Sequence, residues 1–191
     1  RFNEDALRMM RAVRFAGQLG FSIESETFNA IRTLKANLER VAVERMKVEF
    51  EKMILSPHRA LAFQAFVESE LYHSCPDFKE AKDTLLKLGE FPLEKMTITQ
   101  AWILFAYYEK YDTSKLRKVL KNWKSSNDQI STILTGYQTL LARLEKEWDA
   151  FLAYACPEVL AIEVEQLLPG IGHSEQLVEL EEVYRQLPIR S

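Results

Sequence analysis

The sequence predicts an all-α protein, and three observations carry that expectation. Apolar residues recur at three- and four-residue spacing along most of the chain. Glycine and proline, six of each, fall mostly between those periodic stretches. No stretch alternates β-branched with polar residues as a half-buried strand would.

The elements follow in order. A first helix is expected over 3–19, with Ala6, Met9, Met10, Val13 and Ala16 as its apolar stripe. Asn3 suits its N-cap, Glu4 and Asp5 complement the positive helix end, and Gly20 suits a left-handed stop. Phe21 and Ile23 form a short extended link to a helix over 26–36. A third helix starts near Val43 and turns Met46, Phe50, Met53 and Ile54 inward. Ser56-Pro57 reads as the start of the next, carrying Leu61, Phe63, Phe66 and Val67. Pro76 breaks the chain, and a short helix over 81–88 is closed by Gly89 and Pro92. Thr97 caps an apolar helix over 101–108, and Ser114 caps a basic one that runs through Trp123. Ser126 and Gln129 have capping-box spacing. Helices continue to Tyr154, then over 158–168 and 175–185, around the loop Pro169-Gly170-Ile171-Gly172. There is no fixed-period repeat and no low-complexity tract.

Composition narrows the function classes. With 47% hydrophobic and 28% charged residues, the 191-residue chain suits one sizeable core or two or three small helical units, not disorder. No apolar run approaches the roughly 18 residues of a membrane span, so no membrane partner is expected. No charged-then-apolar leader opens the chain, and a cytoplasmic location is expected. Cys75 and Cys156 lack CxxC spacing and read as buried free thiols. His58, His73 and His173 share no ligand spacing, so no metal site is expected in this chain.

The net charge of −3 does not advertise a polyanion partner, but the charge is uneven. Arginines crowd the first fifty residues, and Lys115, Arg117, Lys118, Lys121 and Lys124 form a second cluster. That run reads either as a solvated helix face or as an RNA contact, with Trp123 nearby. The stripe Trp102, Phe105 and Tyr108 reads as core rather than as a platform for bases.

The opening segment, RFNEDALRMMRAVRFA, holds the most specific pattern. Asp5 and Arg8 are three apart on a helix, so their side chains are neighbours, and Glu4 also reaches Arg8. One reading is a surface ion pair. The other starts from hydrogen-bond chemistry. A carboxylate only accepts and a guanidinium only donates. Side by side they complement cytosine and adenine, which each offer an amino donor beside a ring-nitrogen acceptor. Uracil and guanine offer the reverse order and are repelled. Arg11 and Arg14 continue the three-residue spacing, drifting about 60° round the helix per step. Arg11 then reaches a phosphate or ribose near the base. Arg14 reads equally as a nucleotide contact and as an arginine spent on a neighbouring element.

This segment, with the Gly-Phe that follows, resembles the nucleotide-selecting motif of class II tRNA nucleotidyltransferases, the CCA-adding family. The resemblance implies that Asp5 and Arg8 act as a protein template for CTP and ATP, with Arg11 and Arg14 also on the nucleotide and Glu4 in support. A second stretch, RVAVERM at 40–46 with Glu49 and Lys52, resembles the family's next motif, which braces the neck and places supporting roles on Glu44 and Arg45. The family usually has serine where Ala42 stands, so a helix cap worth about 1 kcal/mol is missing here. A third stretch, LPIRS at 187–191, resembles a segment of the Gram-positive branch.

The resemblance implies a helical neck over 1–60, a body over 61–145 and a partial tail over 146–191, without the α/β catalytic head that binds Mg2+. It implies truncation at both ends and no catalytic residue, hence no catalysis, in this chain alone. The expected partners are the tRNA 3′ acceptor end, ATP and CTP, with Lys115, Arg117, Lys118, Lys121 and Lys124 on the tRNA. A homodimer stays open. So do CC-only or A-only addition, a bacterial poly(A) polymerase, and a non-catalytic helical RNA-binding or interaction module.

Overall fold

The computed structural model describes residues 2–188, excluding the side chains of Phe2, Asn3, Asp5 and Leu34. Residue 1 and residues 189–191, the end of the third motif, lie outside it. The described residues contain helices and turns and no strand: α1 (Phe2–Leu19), α2 (Ser25–Leu34), α3 (Val43–Leu55), α4 (Arg59–Glu68), α5 (Lys82–Glu90), α6 (Ile98–Glu109), α7 (Thr113–Asn122), α8 (Asn127–Glu145), α9 (Ala150–Ala155), α10 (Glu158–Glu165) and α11 (Leu177–Arg185). Short 3₁₀ stretches lie at Lys35–Arg40, Leu71–Ser74 and Pro169–Ile171. None of these helices is long and apolar enough to cross a membrane.

α1 packs on α3 and α4, α4 on α5, and α8 on α6, α7 and α10. The stripe Ala6, Met9, Met10, Val13 and Ala16 is buried as its period predicts. The core has an aromatic centre drawn from distant parts of the chain. Phe50 of α3 lies 5.0 Å from Phe78 and 5.2 Å from Trp123, and Phe78 lies 4.8 Å from Trp123. Trp102 and Phe105 are buried beside them, so that stripe is core. Trp123 is fully buried too, its Nε1 donating to Pro76 O at 2.9 Å, and is not available to stack on a base.

Several expected boundaries are corrected. α1 begins at Phe2, which places Asn3 in its first turn rather than at the cap. Ser56 does not start a helix: its hydroxyl donates to Met53 O and closes α3, and α4 starts at Arg59. α5 runs past Gly89 to Glu90. Asp112, not Ser114, caps α7, because its carboxylate accepts from Lys115 N at 2.7 Å and a carboxylate is the stronger acceptor. Ser126 caps α8, but the Gln129 side chain does not complete a box. It accepts from Lys47 Nζ at 2.9 Å instead and ties α8 to α3. The full capping box is at Thr97 and Gln100, whose side-chain amide also donates to Glu163 O, joining α6 to α10.

Gly20 has φ 76°, the left-handed stop expected for α1. Gly17 matters for a different reason. A Cβ there would lie 2.6 Å from both Ala62 Cβ and Ser56 Oγ, where α1 meets α4. Gly17→Ala gains about 1 kcal/mol of helix propensity and loses about 1–3 kcal/mol to overpacking. Neither neighbour is the end of a flexible side chain, so a net loss is expected, read as a lower urea midpoint. An equal or higher midpoint would mean that α1 shifts off α4 without cost.

Candidate functional site

With the apolar stripe of α1 buried against α3 and α4, its polar residues are left on the other faces. Glu4, Arg8 and Phe15 are exposed. Asp5 lies on α1 between Glu4 and the buried Ala6, and its side chain is outside the described residues.

Two ion-pair sets hold this face to α3. Glu4 Oε1 lies 2.8 Å from Arg45 Nη1, both side chains about half exposed. The Arg45 hydrogen bond and charge, helped by Arg11 and Arg8, hold the Glu4 carboxyl below its ordinary range. The same contact holds Arg45 above its own. Being exposed, this pair aligns α1 with the start of α3 more than it stabilises the fold. Glu44 stands exposed in the first turn of α3, and Ala42 is indeed the cap position without a side-chain bond.

The second set is buried. Glu49 carries a side chain only 4% exposed, and two arginines converge on it. Arg11 Nε donates to Oε1 at 3.0 Å while the rest of the side chain stays 40% exposed. Arg14 Nε lies 2.9 Å from Oε2, with 11% of its side chain exposed. That approach is an ion pair without hydrogen-bond alignment, since neither atom has a bonded partner among the described residues. The Arg14 guanidinium also lies 4.4 Å from the Phe15 ring centroid. The row Arg8, Arg11 and Arg14 is therefore graded: Arg8 exposed, Arg11 shared between Glu49 and solvent, Arg14 turned into the α1–α3 contact.

Glu49 is the residue of this candidate site whose place against the arginines the sequence reading missed. A signal was present. Glu49 lies on the face of α3 that carries Met46, Phe50 and Met53, and a carboxylate inside an apolar stripe requires a cation from elsewhere.

The second candidate cluster lies on α7. Lys115, Arg117, Lys118, Lys121 and Lys124 are all exposed, while Leu116, Val119 and Leu120 are buried. They do not act as one patch. Lys115 Nζ is 3.9 Å from Asp77 Oδ1 and lies over the Tyr111 ring. Arg117 and Lys121 line a cleft against α8.

Cys75 and Cys156 are buried free thiols, and burial pushes both upward in pKa, which makes them unreactive. Among the described residues, no three His, Cys, Asp or Glu side chains gather as metal ligands.

Comparison with known proteins agrees with this architecture. A family model described as tRNA nucleotidyltransferase domain 2 matches residues 93–191. A model described as the probable RNA- and SrmB-binding site of polymerase A matches residues 20–82. The chain is 37% identical over 190 residues to the CCA-adding enzyme of Enterococcus faecalis, covering 99% of this chain and 47% of that enzyme. It is 34% identical over 197 residues to the CCA-adding enzyme of Bacillus mycoides, covering 100% of this chain and 49% of that one. The crystal structure of the Bacillus stearothermophilus CCA-adding enzyme in complex with CTP matches with a TM-score of 0.83 at 27% identity, covering 97% of this chain and 47% of the other. The chain spans about half the length of the curated relatives it matches.

Proposed function

This chain belongs to the tRNA nucleotidyltransferase family, and from that premise we propose that it is the helical part of a CCA-adding enzyme, selecting the incoming nucleotide and holding the tRNA 3′ end. The observation that carries the reading is the graded arginine row of α1. Ion pairs to Glu49 and Arg45 of α3 lock the helix in place, while Arg8 is left on an exposed face. A selecting site needs such rigidity, because a hydrogen-bond pattern discriminates only if its donors and acceptors do not swing to suit the wrong base. The similar Bacillus stearothermophilus enzyme was solved with CTP, which supports a nucleotide role for the shared fold.

In this reading Asp5 accepts from the exocyclic amino group of C or A, and Arg8 donates to the neighbouring ring nitrogen. Arg11, its Nε fixed by Glu49, turns its remaining N–H groups toward the ribose or a phosphate. Arg14 positions α1 and does not touch the nucleotide. Glu4, Arg45 and Glu44 support the start of α1 and α3. Mg2+ and the catalytic carboxylates are assigned to no residue of this chain, and no chemical step is derived from it. The neck, body and tail divisions at 1–60, 61–145 and 146–191 belong to the same proposal, as does a cytoplasmic location for tRNA processing.

The test is nucleotide addition by the natural protein containing this chain, on tRNA lacking CCA, with each NTP supplied in turn. Addition from CTP and then ATP is expected. Asp5→Ala and Arg8→Ala should each reduce discrimination against UTP and GTP by roughly 5- to 150-fold, the equivalent of about 1–3 kcal/mol for a bidentate contact. Undiminished selection of C and A by both variants would sink the template. The match to a polymerase A region favours a poly(A) polymerase as the second reading, and addition from ATP alone would select it.

A further inference from the structure

α7 and α8 are joined by a short link and leave a cleft of about 360 Å3 between them. On the α7 side stand Arg117 and Lys121, with Thr113 one turn before Arg117. On the α8 side stand Ser131, Thr135 and Gln138, at the spacing that puts them on one face. Ile130 and Leu134 are buried and form an apolar floor.

Three features set this cleft apart. No carboxylate lines it, although the chain has 28 acidic residues and a net charge of −3. An overall acidic molecule therefore keeps a locally positive groove here. Neither Arg117 nor Lys121 is spent on an ion pair or side-chain hydrogen bond among the described residues, unlike Lys115, which turns to Asp77. And the two cations lie one helical turn apart, about 6 Å along the axis, near the distance between successive phosphates of one nucleic-acid strand.

We propose that the α7–α8 cleft binds the sugar–phosphate backbone of RNA, with Arg117 and Lys121 on consecutive phosphates and Thr113, Ser131, Thr135 and Gln138 on the riboses and phosphate oxygens. The proposal rests on the reading of this chain as tRNA-binding and narrows it to one groove. Arginine, lysine, hydroxyl and amide side chains are the usual partners of phosphate and sugar, and they position an RNA without reading its bases. The lining holds no aromatic ring on which a base could stack. An acidic peptide would satisfy the two cations but would have no use for a row of hydroxyls suited to riboses.

The experiment is a titration of the natural protein containing this chain with a tRNA transcript lacking CCA, repeated over a range of salt concentrations. Arg117→Gln with Lys121→Gln should weaken binding roughly tenfold and lower the log–log salt slope by about one for each cation removed. Lys115→Gln should change the slope by much less. Two transcripts differing in acceptor-stem sequence should lose affinity equally. All of these side chains are exposed, so an unchanged melting temperature certifies the fold of each variant. Unsubstituted protein that binds, with the double variant unchanged in affinity and slope, overturns the groove and leaves the family reading intact. Unsubstituted protein that fails to bind tRNA even at low salt overturns the tRNA-binding reading beneath it.

Discussion

Glu165→Ala is expected to cost about 3–5 kcal/mol, the range for removing one partner of a buried ion pair. Glu165 is fully buried at the end of α10, and four donors from three directions meet on its two oxygens. Arg143 Nε lies 2.9 Å from Oε1 and Nη2 3.4 Å from Oε2. Trp148 Nε1 and the backbone N–H of Gln176 each donate at 2.6 Å. Truncation leaves a guanidinium with only a tenth of its side chain exposed and only the Nη1 bond to Lys146 O in place, and strips an indole N–H and a main-chain N–H of their acceptor. These groups come from α8, from the turn before α9 and from the residue that precedes α11, so the whole C-terminal layer should loosen together. Urea denaturation measures the effect as a lower midpoint at unchanged slope. Glu165→Gln, which keeps two acceptor or donor positions but removes the charge, should fall between wild type and alanine. A loss below about 1 kcal/mol in the alanine variant would mean that water replaces the carboxylate, contrary to the burial seen here.

The second large effect is expected at Glu49. Glu49→Ala leaves Arg14 nearly buried beside α3 with no counter-charge, for a loss of about 3 kcal/mol. The Arg11 half of the site adds little, because that side chain is 40% exposed and is rehydrated at low cost. A double-mutant cycle separates the halves: Glu49 should couple strongly to Arg14 and weakly to Arg11. In the natural protein, the same substitution should also blunt selection between CTP and UTP, since α1 would lose its buried anchor to α3. Loss of stability with selection fully preserved would show that Arg45 and Glu4 alone suffice to place α1.

The two sites differ in how far the sequence disclosed them. The arginine row was visible because its spacing is local: Arg8, Arg11 and Arg14 lie on one helix, and the period sets their angular order. Which of them turns inward was not visible, since the deciding residue, Glu49, lies 38 positions from Arg11. The Glu165 hub was invisible for the same reason, with Arg143 22 positions before it. Cap assignments failed where two polar residues competed for one helix start, as Asp112 and Ser114 did. They also failed where a side chain found a distant partner, as Gln129 did in Lys47. Both outcomes depend on neighbours that a local pattern does not include.

By itself, then, the sequence determined the helical class, the buried face of most helices, the core role of Trp102 and Phe105, and the opening motif that carries the family resemblance. These follow from periodicity and residue chemistry within a few turns of one chain segment. Only the tertiary structure decided that Arg14 is committed to Glu49, that Trp123 is core, that Lys115 parts company with Arg117 and Lys121, and that a carboxylate-free cleft opens between α7 and α8. A hydrophobic period tells which side of a helix is covered, not what covers it. The partners of buried charges are therefore chosen by packing between segments far apart in the chain.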